Sequence, residues 1–561
     1  MEPTKQAQAY GTMLAALCLL LGYANVARAD GVATPPPDGG ARTAPDARDG
    51  TAPLPIPAHS LARLGSIRVG EIRVEGSSIF TPLELSAMTA AYTNRVVSLE
   101  ELHSLRHALS RAYVERGYVS SGVVIPDQRV DEGLLVMRAV EGELTDVEVL
   151  GNRRFRNGAI ARRVQRHVGT PLDIADLQTS LRLLQEEPLI ERVNAQLLPG
   201  AAPGESRLRL AITERRALEL DVAAGNDRSA TVGEDRGIVG LTYRGLIGNG
   251  DVLSGRFGFT EGVADNTLAW RVPLGAGGTA LDLLLVDQQA DIVEERFAAI
   301  DIESELRSWS LTASRPFFRD GDRSLTGFVG FEHKRSESTL LGLPFSFSPG
   351  DIEGRARGSA VSVGAEWVRR GARQALAVRG TLQIGVDALD ATTNTSAPDT
   401  RFTAWLGQVQ YVRTLPWRDG RLLVRGLVQA ARDPLLAMYK LPVGGRYSVR
   451  GYRENLFVRD NGATVSAEYQ FPPFVNDAGR ARGSFRLALF ADYGVSWDED
   501  DALVTAGESR IASVGLGLLW DPLPGLHTEV YWGADLDEQV DAGDALQDRG
   551  VHYGLSFRKL L

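Results

Sequence analysis

From Ala463 to Phe471 the side chains alternate without a break. Ala463, Val465, Ala467, Tyr469 and Phe471 share one face, and Thr464, Ser466, Glu468 and Gln470 the other. Such a strand needs apolar surroundings on one side and polar ones on the other, and a slip of one residue would exchange them. Reading from Arg216, sixteen stretches of strand length follow one another, and their connections alternate in length. Tight turns at 248–250, 274–278, 318–321, 370–372, 417–420 and 522–525 each follow an even-numbered strand. The turn after strand twelve, near 472–483, is longer, and links after odd-numbered strands, such as those near 290–303, 338–355 and 435–461, are long. A soluble sandwich can also bury one face of a strand, so alternation alone does not decide. Short turns at one end and long loops at the other, on an even strand count, are the pattern of an outer-membrane barrel. In the last strand Val551, Tyr553, Leu555 and Phe557 point out while His552, Gly554 and Ser556 point in. Pairing it with the first strand removes both open edges, which lipid does not tolerate. The expectation for 216–561 is an all-β, sixteen-stranded transmembrane β-barrel.

The N-terminus agrees with export. An apolar run from Met13 to Leu21, followed by Ala27-Arg28-Ala29, reads as a signal peptide over 1–29, too short to span a membrane as a helix. Cys18, the only cysteine, lies inside that run, so the exported chain would hold no disulfide, thiolate nucleophile or cysteine metal site. Residues 30–65 are rich in Pro, Ala, Gly and Asp and read as an extended linker without a helical pattern. Lys and Arg total 61 against 71 Asp and Glu, which argues against nucleic acid as a partner.

Between linker and barrel a pattern occurs twice. Val74-Glu75-Gly76-Ser77-Ser78-Ile79-Phe80 returns as Val149-Leu150-Gly151-Asn152-Arg153-Arg154-Phe155, and the same spacing relates Leu99 to Ile174, Leu102 to Leu177 and Leu109 to Leu184. Each copy reads as β-α-α-β-β, giving two small α+β domains at 66–142 and 143–215. Because the chain enters strand one at the short-turn end, both repeats are expected in the periplasm.

Signals for enzymes are sparse: there is no G-x-S-x-G, no H-E-x-x-H and no P-loop. His103 and His107 lie one helical turn apart but read as a solvated helix face. The run Asp498-Glu499-Asp500-Asp501 reads as a solvated loop rather than a calcium site. No metal or other cofactor is expected. The long link between strands eleven and twelve carries Gly444-Gly445-Arg446-Tyr447-Ser448-Val449-Arg450-Gly451-Tyr452, and strand thirteen turns Phe490 and Asp492 toward the lumen. A carboxylate on a wet pore wall needs no partner. Residue types alone therefore leave the pairing of Arg450 with Asp492 open.

The tetrad Val449-Arg450-Gly451-Tyr452, the triplet Phe490-Ala491-Asp492, the paired repeats and the sixteen strands together resemble a two-partner secretion outer-membrane transporter of the TpsB type. The resemblance covers the chain from about residue 66 to its end, and such repeats are called POTRA domains. It implies that the sixth loop folds back into the barrel and that Arg450 meets Asp492 as a latch. It also implies a secreted exoprotein as partner, usually a large β-helical adhesin or haemolysin, beside the outer-membrane lipids. A plug helix common in the family has no counterpart in residues 30–65. For substrate capture the candidate is a strand edge around Val119, Val123 and Ile125, beside the Leu99–Leu109 helix. An insertase for other barrels would share the tetrad but generally carries more repeats; a passive solute channel would not need periplasmic domains.

Overall fold

The computed structural model describes residues 65–561 apart from 296–300, 396–397, 475–483, 500–507 and 538–542. The expected signal peptide, nearly all of the linker and most of the turn after strand twelve lie outside the described residues. The chain divides between Arg215 and Arg216 into two compact units.

In the N-terminal unit, each repeat folds around the turn that the duplicated motif encodes. Gly76 and Gly151 take positive φ angles of 83° and 84°, where an L side chain is strained. Phe80 and Phe155, four residues on, are buried. Each turn is then capped by a carboxylate from the end of the repeat's last strand. Glu141 accepts from the Ser78 and Ile79 amides at 2.7 and 3.2 Å. Glu214 accepts from the Arg153, Arg154 and Phe155 amides at 3.0, 3.0 and 2.8 Å. These charge-assisted bonds satisfy amides that the tight turn leaves without a backbone partner.

In the first repeat the helix Leu99–Glu115 starts at a Ser98/Glu101 capping box and buries Leu102, Leu105, Leu109 and Tyr113. It packs over a sheet whose central strand, Leu134–Val140, lies between Glu71–Glu75 (parallel) and Gly122–Val124 (antiparallel). The opening strand differs from the sequence reading. It breaks at Gly70, whose amide donates to Gly133 O, and its first half, Ser66–Val69, pairs with an additional strand, Arg95–Ser98. The second repeat sets Glu205–Glu214 between Glu143–Leu150 and Ile190–Pro199, with helices Asn157–Gln165 and Ile174–Gln185.

The C-terminal unit is a closed antiparallel barrel of sixteen strands. Strand one is Leu218–Gly225, strand twelve Asn461–Phe471, strand thirteen Phe485–Trp497, strand fifteen Leu526–Asp535 and strand sixteen Val551–Leu560. Strand sixteen pairs with strand one from Gly554↔Gly225 to Leu560↔Glu219. Outward positions are apolar: Val514, Leu516, Leu518 and Trp520 are exposed in strand fourteen, Ser509–Leu523, while Ser513 and Leu519, on its other face, are buried. Aromatic rings collect at the short-turn end, with Trp417 stacked on Tyr469 and Phe485 on Trp520, as at a membrane interface. Strands Ile302–Asp320, Arg323–Leu340 and Arg355–Gly371 run 19, 18 and 17 residues, well beyond the roughly 9–11 a tilted strand needs to cross lipid.

Besides the long link after strand twelve, one odd-numbered connection departs from the parity rule. Strand three, Val252–Phe259, passes to strand four, Val263–Pro273, through 260–262 alone, although it is an odd-numbered strand. Thr260 folds this link tightly, its hydroxyl accepting from the Val263 amide at 2.9 Å and donating to Val232 O at 2.6 Å.

Candidate functional site

The link from strand eleven, Arg421–Ala431, to strand twelve is the sixth loop of the long-loop end, and it returns into the barrel. Its root is fixed by buried charge. Lys440 meets Asp460 and Asp498 at 3.1 and 2.8 Å, and Arg459 meets Asp498 at 3.2 Å. Asp498, the described start of the acidic run, is thus committed to two cations. Val443, Val449 and Tyr452 bury themselves with Leu441 and Ile511, and the Tyr452 hydroxyl donates to Ala512 O at 2.7 Å. Positive φ at Gly444, Gly445 and Gly451 allows the tight course of the loop.

That course brings Arg450 and Asp492 together. Arg450 is 1% exposed and Asp492 4%. The guanidinium donates through Nε and Nη2 to the two carboxylate oxygens at 2.8 and 2.9 Å, a bidentate pair, and the Arg450 amide adds a third bond at 3.1 Å. The Phe490 ring lies under the guanidinium carbon at 3.7 Å and Tyr531 flanks it at 4.8 Å, both in range for cation–π attraction.

A second carboxylate escaped the sequence reading. Glu468, 2% exposed on strand twelve, binds Arg450 Nη1 and accepts from the Tyr531 hydroxyl at 3.1 Å. Ser466 accepts from Arg450 Nη2 at 3.1 Å. The signal was present as alternation, which turned both side chains inward. What was missing was register: strand pairing sets Ser466 opposite Asp492 and Glu468 opposite Phe490. Further ties also went unread. Arg446 binds Glu529, Arg453 binds Asp548, and the Glu454 amide donates to Gln547 Oε1 at 2.9 Å. The lumen therefore holds a loop fastened by paired charges, with Arg450 between two anions and Arg425 3.9 Å from Glu468, rather than a lone wet pair.

The capture candidate is modest in the structure. The strand is only Gly122–Val124, at one edge of its sheet. Val123 is 3% exposed, Val119 is 41% exposed, and Ile125 packs against the domain core. Ser110, from the neighbouring helix, accepts from the Val123 amide at 3.0 Å. His103 and His107 are exposed on that helix.

Comparison with known proteins places this geometry. Residues 204–519, more than half of the chain, match the model of the haemolysin secretion/activation proteins ShlB/FhaC/HecB, and residues 67–142 match the ShlB-type POTRA domain. The outer membrane transporter CdiB of Dickeya dadantii is 24% identical over 425 residues, 73% of each chain. CdiB of Escherichia coli is 23% identical over 497 residues, 84% of this chain and 80% of its own. The solved E. coli CdiB superimposes with a TM-score of 0.63 at 18% identity over 90% of this chain and 93% of that one. BamA of Haemophilus ducreyi lacking POTRA domains 1–3 shares the fold with a TM-score of 0.52 at 13% identity, covering 88% of this chain and 100% of its own. The chain belongs to the ShlB/FhaC/HecB family: it is a two-partner secretion transporter, not an enzyme, an outer-membrane barrel with periplasmic POTRA domains that serves a secreted exoprotein.

Proposed function

We propose that the POTRA unit captures the exoprotein unfolded in the periplasm, and that the barrel passes it once the sixth loop leaves its seat, the Arg450–Asp492–Glu468 cluster acting as a releasable latch. The seated loop itself carries this reading. Arg450 bridges strands twelve and thirteen from inside the lumen, so a polypeptide needs that segment to move aside. Capture by added strand suits a transporter of long chains, because main-chain hydrogen bonds are indifferent to side-chain identity. At the Val119–Ile125 edge such pairing requires the Val123 amide to leave Ser110. A large β-helical adhesin or haemolysin is the cargo we favour. It is consistent with the family's description, and its folding outside the cell would give export a direction without nucleotide. Deleting residues 66–215 separates the two roles. Ion conductance should persist while export is lost; export without the POTRA unit would refute capture there.

A further inference from the structure

We propose that the lumen face of strand fifteen is the rail that positions the sixth loop, and that Gly533 is its positioning residue. This rests on the latch reading and deepens it. Glu529, Tyr531 and Gly533 occupy successive inward positions of one strand, and each meets a different residue of the loop. Glu529 binds Arg446, Tyr531 flanks the Arg450 guanidinium, and Gly533 lies against Gly451. At the last position two backbones touch. A Cβ on Gly533 would stand 2.9 Å from both Cα and N of Gly451 and 3.0 Å from the Arg450 carbonyl carbon. Gly451, at φ 92°, comes equally close from the other side, where an added Cβ would lie 3.0 Å from Gly533 O. Backbone, unlike the tip of a flexible side chain, cannot yield locally, so a methyl group here must lift the tetrad away from the wall. Strand sixteen completes the seat. His552, fully buried, accepts from the Gly451 amide through Nε2 at 3.3 Å. Strand thirteen thus neutralises Arg450, while strands fifteen and sixteen fix where the arginine enters.

The test compares Gly533→Ala, His552→Ala and His552→Gln with Arg450→Ala in outer-membrane vesicles, reading trypsin cleavage within the sixth loop, exoprotein secretion, and heat-modifiable gel mobility as the index of a folded barrel. Gly533→Ala should keep the folded mobility, raise loop cleavage by about tenfold to a hundredfold, the range expected of overpacking, and lower secretion to the Arg450→Ala level. His552→Ala should act in the same direction, and His552→Gln, which retains an acceptor, should restore protection. A folded Gly533→Ala barrel with a protected loop and normal secretion overturns the proposal. If Gly533→Ala does not fold, the histidine pair decides, and wild-type protection in His552→Ala overturns it. Failure of the latch reading looks different, because Arg450→Ala and Asp492→Ala would then secrete normally.

Discussion

Arg450→Ala strands Asp492 and takes from Glu468 its nearest cation, leaving it Arg425 at 3.9 Å. Asp492 and Glu468 are 4% and 2% exposed, and water cannot replace the guanidinium without opening the seat. Removing one partner from a buried ion pair costs about 3–5 kcal/mol, which at about 1.4 kcal/mol per factor of ten is two to four decades in the seated-to-released ratio of the loop. Asp492→Ala should cost less, because Arg450 keeps Glu468, Ser466 and the two rings. Glu468→Gln should cost least, about 1.5–3 kcal/mol for a weakened bond to a charged group. The order is specific to an arginine held between two anions; an exposed pair would give about 0–1 kcal/mol for either partner. Amide hydrogen exchange of residues 444–454 in the membrane-reconstituted protein measures the opening free energy directly. Adding Asp492→Ala to Arg450→Ala should recover much of the loss, since Glu468 still faces Arg425, Gln470 and Tyr531 and no stranded anion remains. Wild-type protection of the loop in Arg450→Ala would refute the reasoning. So would equal losses in all three single variants, because the buried charge would then not be what holds the loop. Secretion should fall in Arg450→Ala and Asp492→Ala while the barrel stays inserted.

Other consequences concern the two units separately. Glu214→Ala leaves the Arg153, Arg154 and Phe155 amides without their acceptor and should destabilise the second POTRA domain by about 1–3 kcal/mol, seen as faster exchange in helix Asn157–Gln165 of the full chain. Arg116 and the Thr81 amide hold the Glu84 carboxyl at about 2, below its ordinary 4.5. Its stabilising contribution is complete above the higher value and is lost as pH falls from there through about 2. Exchange in helix Pro82–Thr89 should therefore accelerate over that window, and less so in Glu84→Gln. Leu516→Arg places a charge on the lipid face and should cost up to about 2–4 kcal/mol of barrel stability, measurable by urea unfolding in lipid.

Period two reports which way a side chain points but not how high it stands in the barrel, and this explains what the sequence could and could not tell. The direction of Asp492 was legible from Phe485, Leu487 and Leu489 alternating with it, and so was that of Glu468. Their common partner was not, because register between strands twelve and thirteen passes through the long link after Phe471, whose length fixes no turn geometry. The pairing of Arg450 with Asp492 came from resemblance, which carries register implicitly. Gly533 was illegible for a related reason: a glycine on a strand signals close approach by something, and only the returning loop says by what. In the POTRA unit the duplicated Gly-x-x-x-Phe turn was read correctly as a repeat, yet its capping carboxylates lie more than fifty residues away in sequence. Ser110 is only 13 residues from Val123, but helical spacing does not say which amide its hydroxyl meets. Each missed contact joins a correctly oriented residue to an element at unknown height. The burial of Arg450 follows from Ser466 standing opposite Asp492, because that pairing puts one guanidinium within reach of both strands and turns a wet pair into a dry one.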